Sequence, residues 1–307
     1  RVGAGCHRTG SINIRAWRPA TGGGSMTTRS EYVERVKLIV GDTREELARL
    51  PDGSFHCCVT SPPYWGLRDY GFDAQIGAEK TVEEYVAALV RVFREVRRTL
   101  REDGTLWLNL GDNYTSGGRT WRDPDKKNRA RGMDYRAATP EGLKPKDLIG
   151  VPWRVAFALQ ADGWFLRSEI IWHKPNCQPE SVKDRPTRSH EHVFLLSKSQ
   201  DYYYDRASVQ ETTKDGLSKR NRRTVWSLDT EPYAGAHFAV FPKALVRPCV
   251  LAGSPPDGVV LDPFFGSGTL GVVCVEQGRR CVGIEIKPEY AQLSRERLGG
   301  VQIKLLA

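Results

Sequence analysis

The chain has 307 residues, with 46 lysines and arginines against 37 aspartates and glutamates, a formal net charge of +9. That length suits one large core with insertions, and the positive excess suits a polyanionic partner without requiring one. No run approaches the roughly 18 consecutive apolar residues of a membrane-spanning helix, and the seven cysteines form no Cys-x-x-Cys pair, which argues against a disulfide framework and for a reducing, cytoplasmic setting.

Residues 1–25 open with Arg1, include Thr21-Gly22-Gly23-Gly24-Ser25 and show no sustained period. They read as a disordered leader, or as upstream sequence joined to a start at Met26, which leaves 26–307 as the folded domain. Val36 to Val40 is a β-branched run, Thr43 to Leu50 a helical segment ending at Pro51, and Phe55 to Thr60 a buried strand stopped by two prolines. A helix is expected from Thr81 to Leu100, where Val82, Tyr85, Val86, Leu89, Phe93, Val96 and Leu100 recur at helical spacing. Its Arg91, Arg94, Arg98 and Arg101 read as a solvated face. The strand Thr105 to Leu110 follows Gly104.

Next comes a polar loop over 115–145, rich in basic residues (Arg119, Arg122, Lys126, Lys127, Arg129, Arg131, Arg136) with Trp121 and Tyr135 between them. A connection of that length is functional or disordered. A helix near Leu148 to Leu159, strands Leu166 to Trp172 and Val193 to Leu196, and the aromatic run Tyr202-Tyr203-Tyr204 lead to a second basic segment with Lys214, Lys219, Arg220, Arg222 and Arg223. The helical run Ala244 to Leu251 precedes a βαβ unit over Gly258 to Ile286. Strands alternating with helices predict an α/β fold whose mostly parallel sheet is covered by helices on both faces.

Within the βαβ unit, Val259-Val260-Leu261 forms a strand, Asp262-Pro263-Phe264-Phe265-Gly266-Ser267-Gly268 a tight turn, and Thr269 to Gln277 the helix. Gly266 and Gly268 permit positive φ and close backbone approach to a ligand. Glu285, ending the second strand, is placed to accept hydrogen bonds from two ribose hydroxyls. A third glycine of the pyrophosphate-binding kind is missing, so a nucleoside cofactor without phosphates fits better than a dinucleotide. The bland alternative is an ordinary strand-turn-helix.

The second motif, Thr60-Ser61-Pro62-Pro63-Tyr64-Trp65, follows the strand from Phe55. Two prolines fix φ and remove two backbone donors, which leaves a rigid row of acceptors beside an aromatic ring. Ser61 Oγ and the Pro62 carbonyl can accept the two hydrogens of an amino group on a flat base while Tyr64 stacks on it. Alone, the motif also reads as a proline-terminated strand with a packed Tyr-Trp pair.

Together, Ser-Pro-Pro-Tyr first and Phe-x-Gly-x-Gly near the C-terminus resemble the motifs of the DNA amino-methyltransferases, in the order of their β class, over about Val36 to Leu298. The resemblance implies a Rossmann-like methyltransferase fold in permuted motif order and S-adenosylmethionine as cofactor. It implies Ser61, Pro62, Pro63 and Tyr64 as the catalytic loop and double-stranded DNA as partner, with room for a restriction endonuclease as genetic partner. For the cofactor it implies Asp42, which would accept from the adenine amino group, with Asp262, Pro263, Phe264, Gly266, Gly268, Thr269 and Glu285. Trp172-His173-Lys174-Pro175-Asn176 resembles a loop bordering the base pocket, and Ala236 to Pro242 a segment leading into a helix over the methionine end of the cofactor. Both basic segments are expected on DNA phosphates, and 205–233 is expected to recognise the target. Serine at position 61 leans toward N4 of cytosine; N6 of adenine, transfer to RNA or a protein amide, and an inactive nucleic-acid-binding module stay open.

Two further patterns are read as structural. Pro248-Cys249 resembles the nucleophile dipeptide of carbon-5 methylation but lies in an apolar helical run. His190-Glu191-His192 offers two histidines and no third ligand, so no metal is expected. Asn109, Asp112 and Asn113 end a strand near the catalytic motif, where they can line a pocket or serve as turn chemistry.

Overall fold

The computed structural model describes residues 35–67, 75–115, 138–231 and 241–299, with the backbone of Ile303–Lys304. In chain order these hold β1 (Val36–Val40), α1 (Thr43–Ala48), β2 (Phe55–Thr60), α2 (Val82–Thr99), β3 (Leu100–Leu110), α3 (Val151–Ala161), β4 (Phe165–His173) and β5 (His190–Ser197). A 3-10 turn at Ala207–Val209 and the short strands β6 (Glu211–Thr212), β7 (Lys219–Arg220) and β8 (Val225–Ser227) come next. They are followed by α4 (Lys243–Gly253), β9 (Val259–Asp262), α5 (Thr269–Glu276), β10 (Arg280–Glu285), α6 (Pro288–Arg297) and β11 (Ile303–Lys304). Apart from the β6-β7 hairpin, the strands form one sheet in the order β11-β1-β10-β9-β2-β3-β5-β4-β8. Its pairings are parallel except at β5, which runs antiparallel to both β3 and β4.

Side chains alternate faces along a strand, and the sheet is buried on both. Ile39, Cys58, Leu106, Leu108, Phe194, Leu261 and Ile284 face a core shared with Leu47 of α1, Leu89 and Phe93 of α2, and Val155 and Leu159 of α3. Leu38, Cys57, Val59, Trp107, Leu195, Val260 and Cys281 face the opposite core with Val246 and Val250 of α4, Leu270 and Val273 of α5, and Ala291 of α6. The mostly parallel sheet with helices on both faces is therefore as expected. Because β2 and β9 are covered on both sides, they read as continuous apolar runs rather than alternating ones.

Several boundaries move for local reasons. Helix α2 starts one residue after Thr81, which forms a reciprocal capping box with Glu84. The next strand begins at Leu100 instead of Thr105, because Leu100 already pairs with Phe55 across a bulge. Helix α3 starts at Val151, not Leu148: Gly150 takes φ of 76°, and the Asp112 carboxylate accepts the Gly150 and Val151 N–H groups. On the solvated face of α2, Arg94 pairs with Asp162 and Arg98 with Asp52, Glu95 and the Leu47 and Leu50 carbonyls.

The strand order reverses between β9 and β2: the chain leaves β9 through α5 toward β10, and leaves β2 through α2 toward β3. In doubly wound sheets such a switch point opens a crevice beyond the carboxyl ends of the strands. Residues 61–67 and 262–268 start at those two ends.

Candidate active site

The two motifs, about 200 residues apart in sequence, meet through one buried bond. Thr60 Oγ1, ending β2, donates to Asp262 Oδ1, ending β9, at 2.6 Å across a separation of 202 residues. Phe264 N–H donates to the same oxygen at 3.0 Å. The second oxygen, Asp262 Oδ2, is buried without a partner among the described residues. Burial, opposed by those two bonds and reinforced by the nearby Glu285 charge, pushes the Asp262 carboxyl up to about 7.

The turn after β9 is held by its own neighbourhood. Gly266 and Gly268 take φ of 53° and 78°, a region L side chains avoid. Glu285 Oε2 accepts from Gly266 N–H at 2.8 Å and its Oε1 from Lys287 N–H at 2.9 Å, while burial pushes this carboxyl up to about 7. Gly268 serves packing more than ligand approach, since a Cβ there would lie 3.0 Å from Ser294 Cβ of α6. Thr269 is likewise buried, its hydroxyl taken by Arg297 at 2.9 Å. Pro263 is buried and Phe264 half-buried against the α1-α2-α3 core.

Gly41 N–H bonds the Glu285 carbonyl at 3.0 Å, which sets the end of β1 beside this turn. Asp42 lies there as expected, yet its carboxylate caps α1 at Arg44 N–H and is bracketed by the Arg44 guanidinium. That side-chain bond, against the opposing effect of burial, holds Asp42 below the usual carboxylate range. Any ligand would share Asp42 with Arg44.

The loop after β2 is held from afar. Tyr85 of α2 donates to the Pro63 carbonyl at 2.9 Å, Asn113 to the Trp65 carbonyl at 2.6 Å, and Trp65 Nε1 to the Glu79 carbonyl at 2.9 Å. Gly111 is pressed against the Tyr64 ring, where a Cβ would lie 2.6 Å from Cε2. The Tyr64 hydroxyl donates to Glu191 Oε2 at 2.8 Å, receives Asn109 Nδ2 at 2.6 Å and lies 3.3 Å from Ser61 Oγ. Asn109 Nδ2 also donates to Glu191 Oε2 at 2.7 Å, and Lys174 donates to Glu191 Oε1. Burial alone would raise the Glu191 carboxyl, but Lys174 and the bonds from Asn109 and Tyr64 reverse this and hold it below the ordinary value.

Sequence reasoning missed Glu191 as part of this cluster. The signal was its alternation: on β5 it faces away from His190 and His192, on the side of Val193, which pairs with Asn109. His192 bonds Glu169 and stacks on Phe194, and no group of three potential metal ligands occurs among the described residues. Of the strand-end polar residues, Asn109 joins the cluster while Asp112 caps α3 and Asn113 braces Trp65. Cys249 is buried in α4 and bonds the Leu245 carbonyl, and burial pushes its thiol far up, which disfavours a nucleophilic thiolate.

The first basic set, Arg119, Arg122, Lys126, Lys127, Arg129 and Arg131, lies outside the described residues, as do residues 236–240 of the segment read at 236–242. In the second set, Arg220 and Arg223 both bond Glu211 Oε1, at 2.9 and 3.0 Å, and Arg222 lies over the Trp226 ring. Lys219 is exposed, and the three arginines have these partners within the 211–226 segment.

The N6_N4_Mtase family model, a DNA methylase family, matches residues 55–296. The type II methyltransferase M.SmaI of Serratia marcescens is 67% identical over 263 residues, covering 85% of this chain and 90% of that protein. M.Cfr9I of Citrobacter freundii, also a type II methyltransferase, is 61% identical over 274 residues, covering 89% and 91%. Among solved structures, a candidate DNA modification methylase of Thermus thermophilus, TTHA0409, crystallised with S-adenosyl-L-methionine, is 29% identical with a TM-score of 0.59, covering 85% and 92%.

Proposed function

The chain belongs to the DNA methylase family whose model spans residues 55–296, and from that premise we propose that it methylates the exocyclic N4 of cytosine in double-stranded DNA. At the coarser level the activity is that of a type II DNA amino-methyltransferase using S-adenosylmethionine. The finer reading rests on one observation: the acceptor that opens the catalytic loop is the hydroxyl of Ser61, bonded through Tyr64 to a neighbouring network, with no carboxylate in its place.

The residues around the turn fit the cofactor. The buried, unpartnered Asp262 Oδ2 is an acceptor waiting for a donor, and Glu285, with one backbone bond to each oxygen, keeps lone pairs for hydroxyl groups. We assign Asp262, Pro263, Phe264, Gly266, Gly268 and Glu285 to this pocket, with Thr269 as turn support and Asp42 shared with Arg44. When bound, S-adenosylmethionine supplies an electrophilic methyl group on a sulfonium.

The chain's own residues do the rest. A stacked amino group is out of reach, so the base leaves the duplex, at a cost of a few kcal/mol that stacking on Tyr64 and bonds at the loop offset. Ser61 Oγ and the Pro62 carbonyl accept the two amino hydrogens, which draws the nitrogen lone pair out of the ring and toward the pocket. Pro63 restricts the backbone of Pro62 and so holds that carbonyl in place. Lys219 and the basic residues 119–131 supply phosphate contacts, the 205–233 segment reads the target, and a restriction endonuclease of the same specificity is the genetic partner this implies.

The test is methyl-labelled S-adenosylmethionine offered with mixed-sequence duplex DNA, RNA and a protein mixture in parallel. Label should enter DNA alone. Label confined to RNA or protein would overturn the proposal.

A further inference from the structure

The Tyr64 hydroxyl has one proton and, among the described residues, three neighbours: Glu191 Oε2 at 2.8 Å, Asn109 Nδ2 at 2.6 Å and Ser61 Oγ at 3.3 Å. A carboxylate only accepts, so the Tyr64 proton is committed to Glu191. Asn109 is oriented by the same charge, because its other acceptable contact, 2.7 Å to Glu191 Oε2, requires nitrogen rather than oxygen on that side. One Asn109 hydrogen therefore goes to Glu191 and the other to the Tyr64 oxygen. Toward Ser61 that oxygen can then only accept. Ser61 turns its single proton to Tyr64 and its lone pairs elsewhere.

We propose that Glu191 is a positioning residue that fixes the direction of the Tyr64 and Ser61 hydroxyls, so that Ser61 meets the base amino group only as an acceptor. The inference rests on the amino-group transfer argued above and extends it to a residue that acts through Tyr64 and Ser61. Without the charge on Glu191, the Tyr64 proton is free to turn on Ser61, whose own hydrogen then points outward at the N–H it should accept. Lys174 completes the device: it donates to the other Glu191 oxygen and lies 4.2 Å over the Trp172 ring. Among the described residues the groups facing Glu191 are thus Lys174 after β4, Asn109 on β3 and Tyr64 after β2, with His190 next to it along β5. Burial already holds the phenol of Tyr64 far above its ordinary value, so it stays a donor across the working pH range.

The test is a double-mutant cycle on the full-length protein, read as single-turnover methyl transfer to DNA. Glu191→Gln should slow transfer by roughly tenfold to a hundredfold while cofactor affinity and the KM for DNA stay near wild type. In a Tyr64→Phe background, where no phenolic proton exists to be misdirected, the same change should cost no more than about twofold. A second variant, Lys174→Met, removes the largest effect opposing burial at Glu191, leaves only the bonds from Asn109 and Tyr64 against it, and raises its pKa. At saturating cofactor, its turnover should climb as pH rises through neutrality, with wild type flat over that range. Penalties that multiply in the cycle, or a flat Lys174→Met profile, would overturn the proposal and leave the assigned function standing. If wild-type protein transfers no label to DNA, the function falls and the inference with it.

Discussion

The turn after β9 and the loop after β2 lie side by side on neighbouring strands, yet they are held in opposite ways. Apart from the Thr60–Asp262 bond across 202 residues, the turn is held from the C-terminal stretch of the chain, by Glu285 19 residues beyond Gly266 and by Arg297 of α6. The catalytic end of the loop is held from other strands: Tyr64 by Glu191 of β5 across 127 residues and by Asn109 of β3 across 45. A turn built by its own segment can be read from that segment. A loop built by other strands can be recognised by its residues, but the reason for its geometry lies elsewhere in the chain.

The comparison predicts separable failures. The largest concerns Ser61→Ala, which removes an acceptor needed mainly in the transition state. Turnover should fall on the order of a hundredfold or more with cofactor affinity nearly intact, as measured by single-turnover kinetics beside calorimetry. A matching loss of cofactor affinity would mean the two halves are one unit. Next in size is Gly266→Val, at φ of 53°, where a β-branched residue is strained. Cofactor affinity should drop at least about tenfold in calorimetry, and wild-type affinity would move the pocket away from this turn.

A third test sharpens the cofactor half. Asp262 and Glu285 are each pushed up to about 7 by burial. A carboxyl raised in the folded state contributes stability that is complete below the unfolded carboxylate range and is lost as pH rises through about 7. Hydroxyl donors favour the ionised form, so cofactor binding should release protons and tighten between pH 6 and 8, roughly around that value. Calorimetry in buffers of different ionisation enthalpy counts those protons. Binding without proton release would contradict the assignment.

How much was legible follows the same division. The βαβ unit, the two faces of the sheet and the positions of Ser61 and Gly266 could be read because period, proline and glycine act on their own segment. Glu191 could not, because its partners come from β3, the loop after β2 and the loop after β4, and only the sheet order brings those together. Asp112 was ambiguous for the same reason: it caps a helix that begins 39 residues later. Gly268 and Thr269 fall in the turn read from the sequence, but their contacts reach α6, beyond the motif. The Glu211 partner of Arg220 and Arg223 could not be read because the short β6-β7 pairing that brings it to them carries no strong period.

That last point gives the smallest predicted effect. Replacing Arg220 and Arg223 together should change the salt dependence of DNA binding little, since Glu211 already shares their charge, whereas Lys219→Ala should lower the log-log slope by about 1. Salt titrations of DNA affinity compare the two, and a larger effect from the arginines would restore them as phosphate ligands.

The most direct test of the account is the identity of the product. DNA methylated by the purified protein, digested to nucleosides and resolved by mass spectrometry, should contain N4-methylcytosine. N6-methyladenine would contradict the cytosine assignment while keeping amino-group transfer, and 5-methylcytosine would contradict the roles given to Ser61 and Tyr64 altogether.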